Sequence, residues 1–161
     1  VSITVLRPFS TGTMWLWRRH DGTFQPRMNP SYLQDERDVT SLIQGIRHVE
    51  AMVRNEYMAA LGSEVLYPDF EDCESPLLPS TDDYWRCALG YLATSGNHLT
   101  STVPMGIVLD DRLRVKDMSG IRVIDQSVLP ETATGGLSST VLAVAHRGYS
   151  LIHNDHRIRC F

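Results

Sequence analysis

The stretch from Asp35 to about Ala60 constrains the fold most, because its apolar residues recur at helical spacing. Val39, Leu42, Ile43, Ile46, Val49 and Val53 fall at steps of three and four, which puts them on one side of a 3.6-residue helix. Asp35, Glu36 and Asp38 stand at the start, where the partial positive charge of a helix end favours carboxylates. An amphipathic helix of this length needs another element to cover its apolar stripe.

The candidates for that role lie on both sides. Residues 2–6 and 13–17 read as strands with Thr11-Gly12 as the turn between them. In the second, Met14 and Leu16 alternate with Thr13, Trp15 and Trp17. Pro26 to Pro30 reads as an extended, turn-rich connector, and Arg18-Arg19-His20 as a solvated turn. Residues 62–80 carry four prolines or glycines and several acids and read as a loop. Ser80-Thr81-Asp82-Asp83 then has the form of a capped start for a helix reaching about Leu92. Between 100 and 130 short strands and turns are expected, with Leu113-Arg114-Val115 and Ile121-Arg122-Val123-Ile124 separated by the turn at 116–120. Ser138 or Ser139 caps a last helix to about Ile152, with Val141, Leu142, Ala145 and Tyr149 on one face, and the final nine residues read as a polar surface tail. Strands, helix, loop, helix, strands, helix in that order give an α+β fold with an antiparallel sheet.

Composition narrows the function. The chain has 161 residues, 42% of them hydrophobic and 21% charged, in the range of an ordinary globular domain. A net charge of -4 argues against nucleic acid or an anionic membrane as the main partner. No apolar run approaches a membrane span. The start, Val1-Ser2-Ile3-Thr4-Val5-Leu6, has no initiator Met and no basic segment, so it reads as a strand entered midway. Lys116 is the one lysine and sits in a polar turn, a poor setting for Schiff-base chemistry. Of three cysteines, Cys73 and Cys87 close a short loop and read equally as a disulfide or as two buried thiols, while Cys160 is left over, free or paired with another chain. No Cys-x-x-Cys pair occurs and no His stands at ligand spacing from a cysteine, so no metal site is expected.

Five stretches carry a resemblance. They are Leu6-Arg7-Pro8-Phe9-Ser10-Thr11-Gly12-Thr13, Pro30-Ser31-Tyr32-Leu33, the run from Asn97-His98 to Met105-Gly106, the run from Val108 through Arg114-Val115 to Gly120-Ile121-Arg122-Val123-Ile124-Asp125-Gln126-Ser127 and Pro130, and Gly135 with the helix after it. In order and spacing they resemble the glucose–methanol–choline (GMC) family of FAD-dependent oxidoreductases over nearly the whole chain. The fourth, similar to V-x-D-x-x-L-R-V followed by G-L-R-V-x-D-x-S-x-x-P, is the most specific. The placing of Cys73 and of Tyr84-Trp85-Arg86-Cys87 ahead of His98 resembles animal members, commonly secreted. That resemblance implies a Cys73–Cys87 disulfide and an extracellular location.

The resemblance also implies a division of labour. Residues 1–96 would be part of the substrate-binding domain, an antiparallel sheet backed by helices. Residues 97–152 would be the catalytic segment that returns to the flavin, ahead of a tail at 153–161. No G-x-G-x-x-G occurs among these residues. The FAD dinucleotide would therefore be held mostly by residues outside this chain, on an N-terminal FAD-binding polypeptide of the same enzyme: either the mature enzyme is nicked into two polypeptides, or only this portion is present. The implied reaction takes a small-molecule alcohol to a carbonyl by hydride transfer to flavin. His98 matches the family's catalytic base, and an imidazole suits proton abstraction near neutral pH. The second catalytic position, His or Asn in the family, falls at Ser138. A serine can hydrogen-bond an alcohol oxygen but is shorter and carries no charge. Asn97, Asp125, Gln126, Ser139 and Thr140 match flavin-contacting positions, the last two at a helix end that favours negative charge on the ring. Three other readings stay beside this one: an FAD-containing hydroxynitrile lyase, a mandelonitrile-type cyanohydrin oxidase, and a catalytically silent relative that the departures at Ser101 and Ser138 would permit.

Overall fold

The computed structural model describes residues 1–73 and 81–156, which divide into two compact units, Val1–Ser95 and the residues from Gly96 on. Ser80 and Cys160 lie outside the described residues.

In the first unit, β1 (Thr13–Arg18) pairs antiparallel with β2 (Phe24–Asn29), with Leu16 opposite Pro26 and Arg18 opposite Phe24. This corrects the expected pairing. Residues 2–6 form no strand, and Ile3 instead lies over Gly45, where a side-chain carbon would come within 2.7 Å of its Cγ2. The reversal falls at Arg19–Thr23, where Gly22 takes φ +83° and the Arg19 amide donates to the Thr23 carbonyl at 2.8 Å. Asp21-Gly22 is a good hairpin turn, and Pro26 hid the period-two pattern of β2. Gly12 turns no hairpin. It ends the ladder, pressed so closely on the Asn29 carbonyl that a side chain there would collide with it.

The periodic helix forms as α1 (Glu36–Val53), capped by Asp35, whose carboxylate accepts from the Arg37 amide. It stops earlier than expected. Asn55 is extended, and its side chain caps a separate short helix, α2 (Glu56–Ala60), by accepting from Tyr57 N. The next helix, α3 (Asp82–Leu92), starts at Thr81, whose hydroxyl accepts from Tyr84 N at 3.2 Å. Val39 and Ile43 of α1 pack with Tyr84, Trp85, Ala88 and Leu89 of α3. Inside this contact Glu50 is buried, accepting from Arg47 at 2.8 Å, from Trp85 Nε1 at 3.1 Å and from the Tyr67 hydroxyl at 3.3 Å. Burial alone would raise its pKa, but the hydrogen bonds from Arg47 and Trp85 outweigh it and hold the carboxyl below its ordinary value. Asp38, also buried, accepts from the amides of Phe9 and Ser10 at 2.8 Å each, which fastens the Arg7-Pro8-Phe9-Ser10 stretch to α1. Cys73, in the single turn Glu71–Cys73, is disulfide-bonded to Cys87 of α3.

In the second unit the expected strands shrink to single bridges, Leu109 to Val115 and Arg114 to Arg122. Tight turns prevent longer ladders: Asp110 Oδ1 accepts from the amides of Arg112 and Arg114, and Leu113 and Asp117 both have φ +60°. Leu109, Leu113, Val128, Leu129, Leu137 and Leu151 make the core. The last helix, α4 (Ser138–His156), runs four residues into the expected tail. Asp155 explains the extension, since its two oxygens take Arg112 and Arg122. The inward face of α4 also differs from expectation. Of the expected face only Val141 packs on the core, together with Val144, Gly148 and Leu151, while Leu142, Ala145 and Tyr149 are exposed. Gly148 sets that rotation, because only a residue without a side chain lets Ile124 lie against the helix. The whole is an α+β arrangement of a small antiparallel sheet with helices.

Candidate active site

The residues singled out for chemistry all fall in the second unit, on three segments. Asn97 and His98 sit on the first, both exposed, with Asn97 at φ +59°. Beyond the histidine the segment is fixed by hydrogen bonds to residues 127–132. Thr100 Oγ1 lies 3.1 Å from Thr132 Oγ1, and the Ser101 hydroxyl donates to the carbonyls of Leu129 at 3.0 Å and Pro130 at 2.7 Å. The Val103 and Met105 amides then donate to Ser127 and Val128 carbonyls at 3.1 and 2.9 Å. So residues 100–105 run beside 127–132, and His98 lies two residues before that pairing begins.

Asp125 and Gln126 begin the second segment. The Asp125 carboxylate caps the single turn Gln126–Val128, accepting from the Ser127 amide at 2.8 Å and from the Ser127 hydroxyl. Both bonds use Oδ1. Val128 and Leu129 that follow are buried and fix the depth of the chain here. The third segment is the start of α4. Gly135 and Gly136 take φ +87° and +148°, conformations side chains disfavour, and lead through buried Leu137 to Ser138. Ser138 and Ser139 are exposed and Thr140 is half-buried. The first amides of a helix have no partner inside it. The first turn of α4 contains no acid, so its positive end is uncompensated by a carboxylate of its own.

The structure thus joins the His98 segment to the Asp125–Thr132 segment that leads into α4. It does not join every candidate. No hydrogen bond links His98 to Ser138 among the described residues. His146 is exposed on α4, with its carbonyl accepting from Ser150. Among the described residues no three His, Cys, Asp or Glu are grouped to hold a metal ion.

The positioning residues Thr100, Ser101 and Thr132 were not visible as such in the sequence. Ser101 looked only like a departure from a glycine-rich motif. Its φ of +66° is the compatible signal, since the backbone there has the left-handed form glycine would adopt, and the serine hydroxyl adds two bonds to neighbouring carbonyls.

Comparison with known proteins shows the family. Residues 8–145 match the C-terminal domain of the GMC oxidoreductase family. The chain is 34% identical over 156 residues to "Neither inactivation nor afterpotential protein G" of Drosophila melanogaster, covering 91% of this chain and 26% of that protein. It is 31% identical to the glucose dehydrogenase [FAD, quinone] of Drosophila pseudoobscura pseudoobscura, covering 92% and 24%, and 27% identical to the ecdysone oxidase of Spodoptera littoralis, covering 97% and 25%. Among solved structures, the formate oxidase of Aspergillus oryzae superimposes with a TM-score of 0.77 at 25% identity, over 95% of this chain and 26% of that one. The chain spans about a quarter of the length of the relatives it matches. It belongs to the GMC oxidoreductases, as a C-terminal domain of that family.

Proposed function

We propose that this chain forms the substrate-facing part of an FAD-dependent oxidoreductase that converts an alcohol to a carbonyl. One observation carries the reading. The exposed His98 is borne on a segment hydrogen-bonded to the stretch that leads directly into the carboxylate-free start of α4. A base and an uncompensated positive helix end on adjoining segments suit proton removal beside a ring that gains negative charge. The relatives named for glucose and ecdysone are named for molecules that carry hydroxyl groups.

Bound FAD would supply the hydride acceptor. The residues present fit its ring better than its dinucleotide tail: the α4 start offers open amides and the hydroxyls of Ser139 and Thr140, with no side chain at Gly135 or Gly136 to obstruct approach. Asn97 and Gln126 offer amide groups, and Asp125 has Oδ2 left for a further donor. The adenine and pyrophosphate would be held by a separate FAD-binding polypeptide of the same enzyme. His98 would accept the hydroxyl proton, because a developing alkoxide releases hydride far more readily than an alcohol. Ser138 would hydrogen-bond the substrate oxygen, leaving the imidazole as the charge-bearing group of the pair. The Cys73–Cys87 bond supports an oxidising, extracellular setting. Among the described residues no helix is long and apolar enough to cross a membrane.

The test is anaerobic addition of candidate alcohols to the flavin-loaded enzyme while flavin absorbance is followed. Bleaching is expected. Cyanide release from cyanohydrins without bleaching would favour a lyase, and neither response to a broad alcohol set would favour a silent relative.

A further inference from the structure

His98 stands between two residues whose backbone is left-handed, Asn97 at φ +59° and Ser101 at φ +66°. That conformation is unfavourable for a residue with a side chain and persists only where its surroundings impose it. At Ser101 the surroundings are a set of hydroxyl groups. The Ser101 hydroxyl has one proton, and both of its neighbours across the chain, the Leu129 carbonyl at 3.0 Å and the Pro130 carbonyl at 2.7 Å, can only accept. The proton is shared between them, and the Ser101 oxygen is left to accept. Thr100 Oγ1 lies 3.4 Å from it, so that bond runs from Thr100 to Ser101. Thr100 has then used its own proton, and its 3.1 Å contact with Thr132 Oγ1 runs from Thr132 to Thr100.

Three hydroxyls thus form one directed chain, and Ser101 is the donor at its end. Hydrogen bonds in series polarise one another, so loss of the terminal donor weakens the bonds behind it. This chain clamps residues 100 and 101 onto 129–132 a short distance from the base. The two residues from Thr100 back to His98 reach at most about 7 Å even when extended. A shift of the clamp is therefore passed to the imidazole with little chain to absorb it. Proton transfer requires hydrogen-bond reach, and a misplacement of about 1 Å can cost on the order of 10²-fold in rate.

We infer that Ser101 is a positioning residue for the reaction: its hydroxyl, acting through the main chain rather than on the substrate, holds His98 where it removes the proton. The inference rests on the reading of His98 as the base.

Ser101→Gly tests it, because glycine takes a positive φ freely and the change removes the hydroxyl without straining the backbone. Flavin reduction by an oxidisable alcohol is compared in the flavin-loaded native enzyme, Ser101→Gly, His98→Gln and the double variant. Ser101→Gly is expected to reduce its flavin about tenfold more slowly at saturating alcohol, with the half-saturating concentration within about twofold of native. In the His98→Gln background the same change is expected to cost less than about twofold, since no base remains to be placed. A tenfold loss in both backgrounds would make the role merely structural and overturn the inference. So would a native rate in Ser101→Gly beside a slow His98→Gln, which would leave the base standing. A native rate in His98→Gln would overturn the base and the inference with it. The clamp has a readout without turnover. The Val103 amide, bonded to the Ser127 carbonyl at 3.1 Å, should exchange with solvent about fivefold faster in Ser101→Gly, while the amides of α1 keep their native rates. Unchanged exchange at Val103 would contradict the clamp itself.

Discussion

Gly148 and Glu50 are the residues on which each unit's packing turns, for opposite physical reasons. At Gly148 it is the absence of a side chain that matters, because a carbon there would occupy the space of Ile124, next to Asp125. Gly148→Val should destabilise the enzyme by about 1–3 kcal/mol through overpacking, whereas Ala143→Val on the exposed side of α4 should change little. Thermal midpoints of the two variants check this, and equal midpoints would contradict the packing described. At Glu50 it is a buried charge with three donors. Neither role is visible from residue type alone: one is a glycine in a helix, and the other an acid that helical spacing puts among the apolar residues of α1, four after Ile46 and seven after Ile43. Caps were legible, since Asp35 and Thr81 act through backbone amides two and three residues on. Ser101 was not, because its hydrogen bonds reach across 28 and 29 residues to Leu129 and Pro130.

At the scale of elements, α1 and α3 follow from apolar period and caps, α4 was legible as a helix but not in the face it buries, and the hairpin was not legible. Its second strand holds a proline, and strand pairing depends on a partner that local sequence cannot name. The bridges at 109–122 were overread as strands for a related reason: alternation was present, but the Asp110 turn takes up the amides a ladder would use. The disulfide links the turn Glu71–Cys73 to α3 across 14 residues. Replacing Cys73 and Cys87 together by serine should lower stability by about 3 kcal/mol, the chain-entropy value for a loop of that size. Denaturant midpoints would show it, and an unchanged midpoint would mean that the α1–α3 core already restrains this loop.

At the scale of the molecule, the pairing of residues 100–105 with 127–132 was not legible in the sequence, because its contacts join segments far apart along the chain. Stability against acid is also a property of the whole. Glu50, Asp38 and Asp155 are each desolvated yet held below their ordinary values by hydrogen bonds, from Arg47 and Trp85, from Ser10 and Phe9, and from Arg122 and Arg112. Asp35 is lowered to about 2 by Arg37. Depressed carboxylates bind protons more readily unfolded than folded. Their stabilisation is therefore complete above the ordinary values of 3.8 for Asp and 4.5 for Glu, and is lost as pH falls toward the folded values. Urea midpoints should be level above about pH 5 with respect to these groups and fall below it. Midpoints that stay level to pH 3 would contradict the hydrogen bonds assigned to them.

In the proposed reaction the imidazole of His98 takes the substrate proton. The direct measurement is the rate of flavin reduction by an oxidisable alcohol after anaerobic rapid mixing, compared between the native enzyme and His98→Gln with flavin content matched. The rate should fall about 10²–10⁴-fold, the usual contribution of a positioned base. A variant that reduces its flavin within a few fold of the native rate would show that the proton leaves by another route.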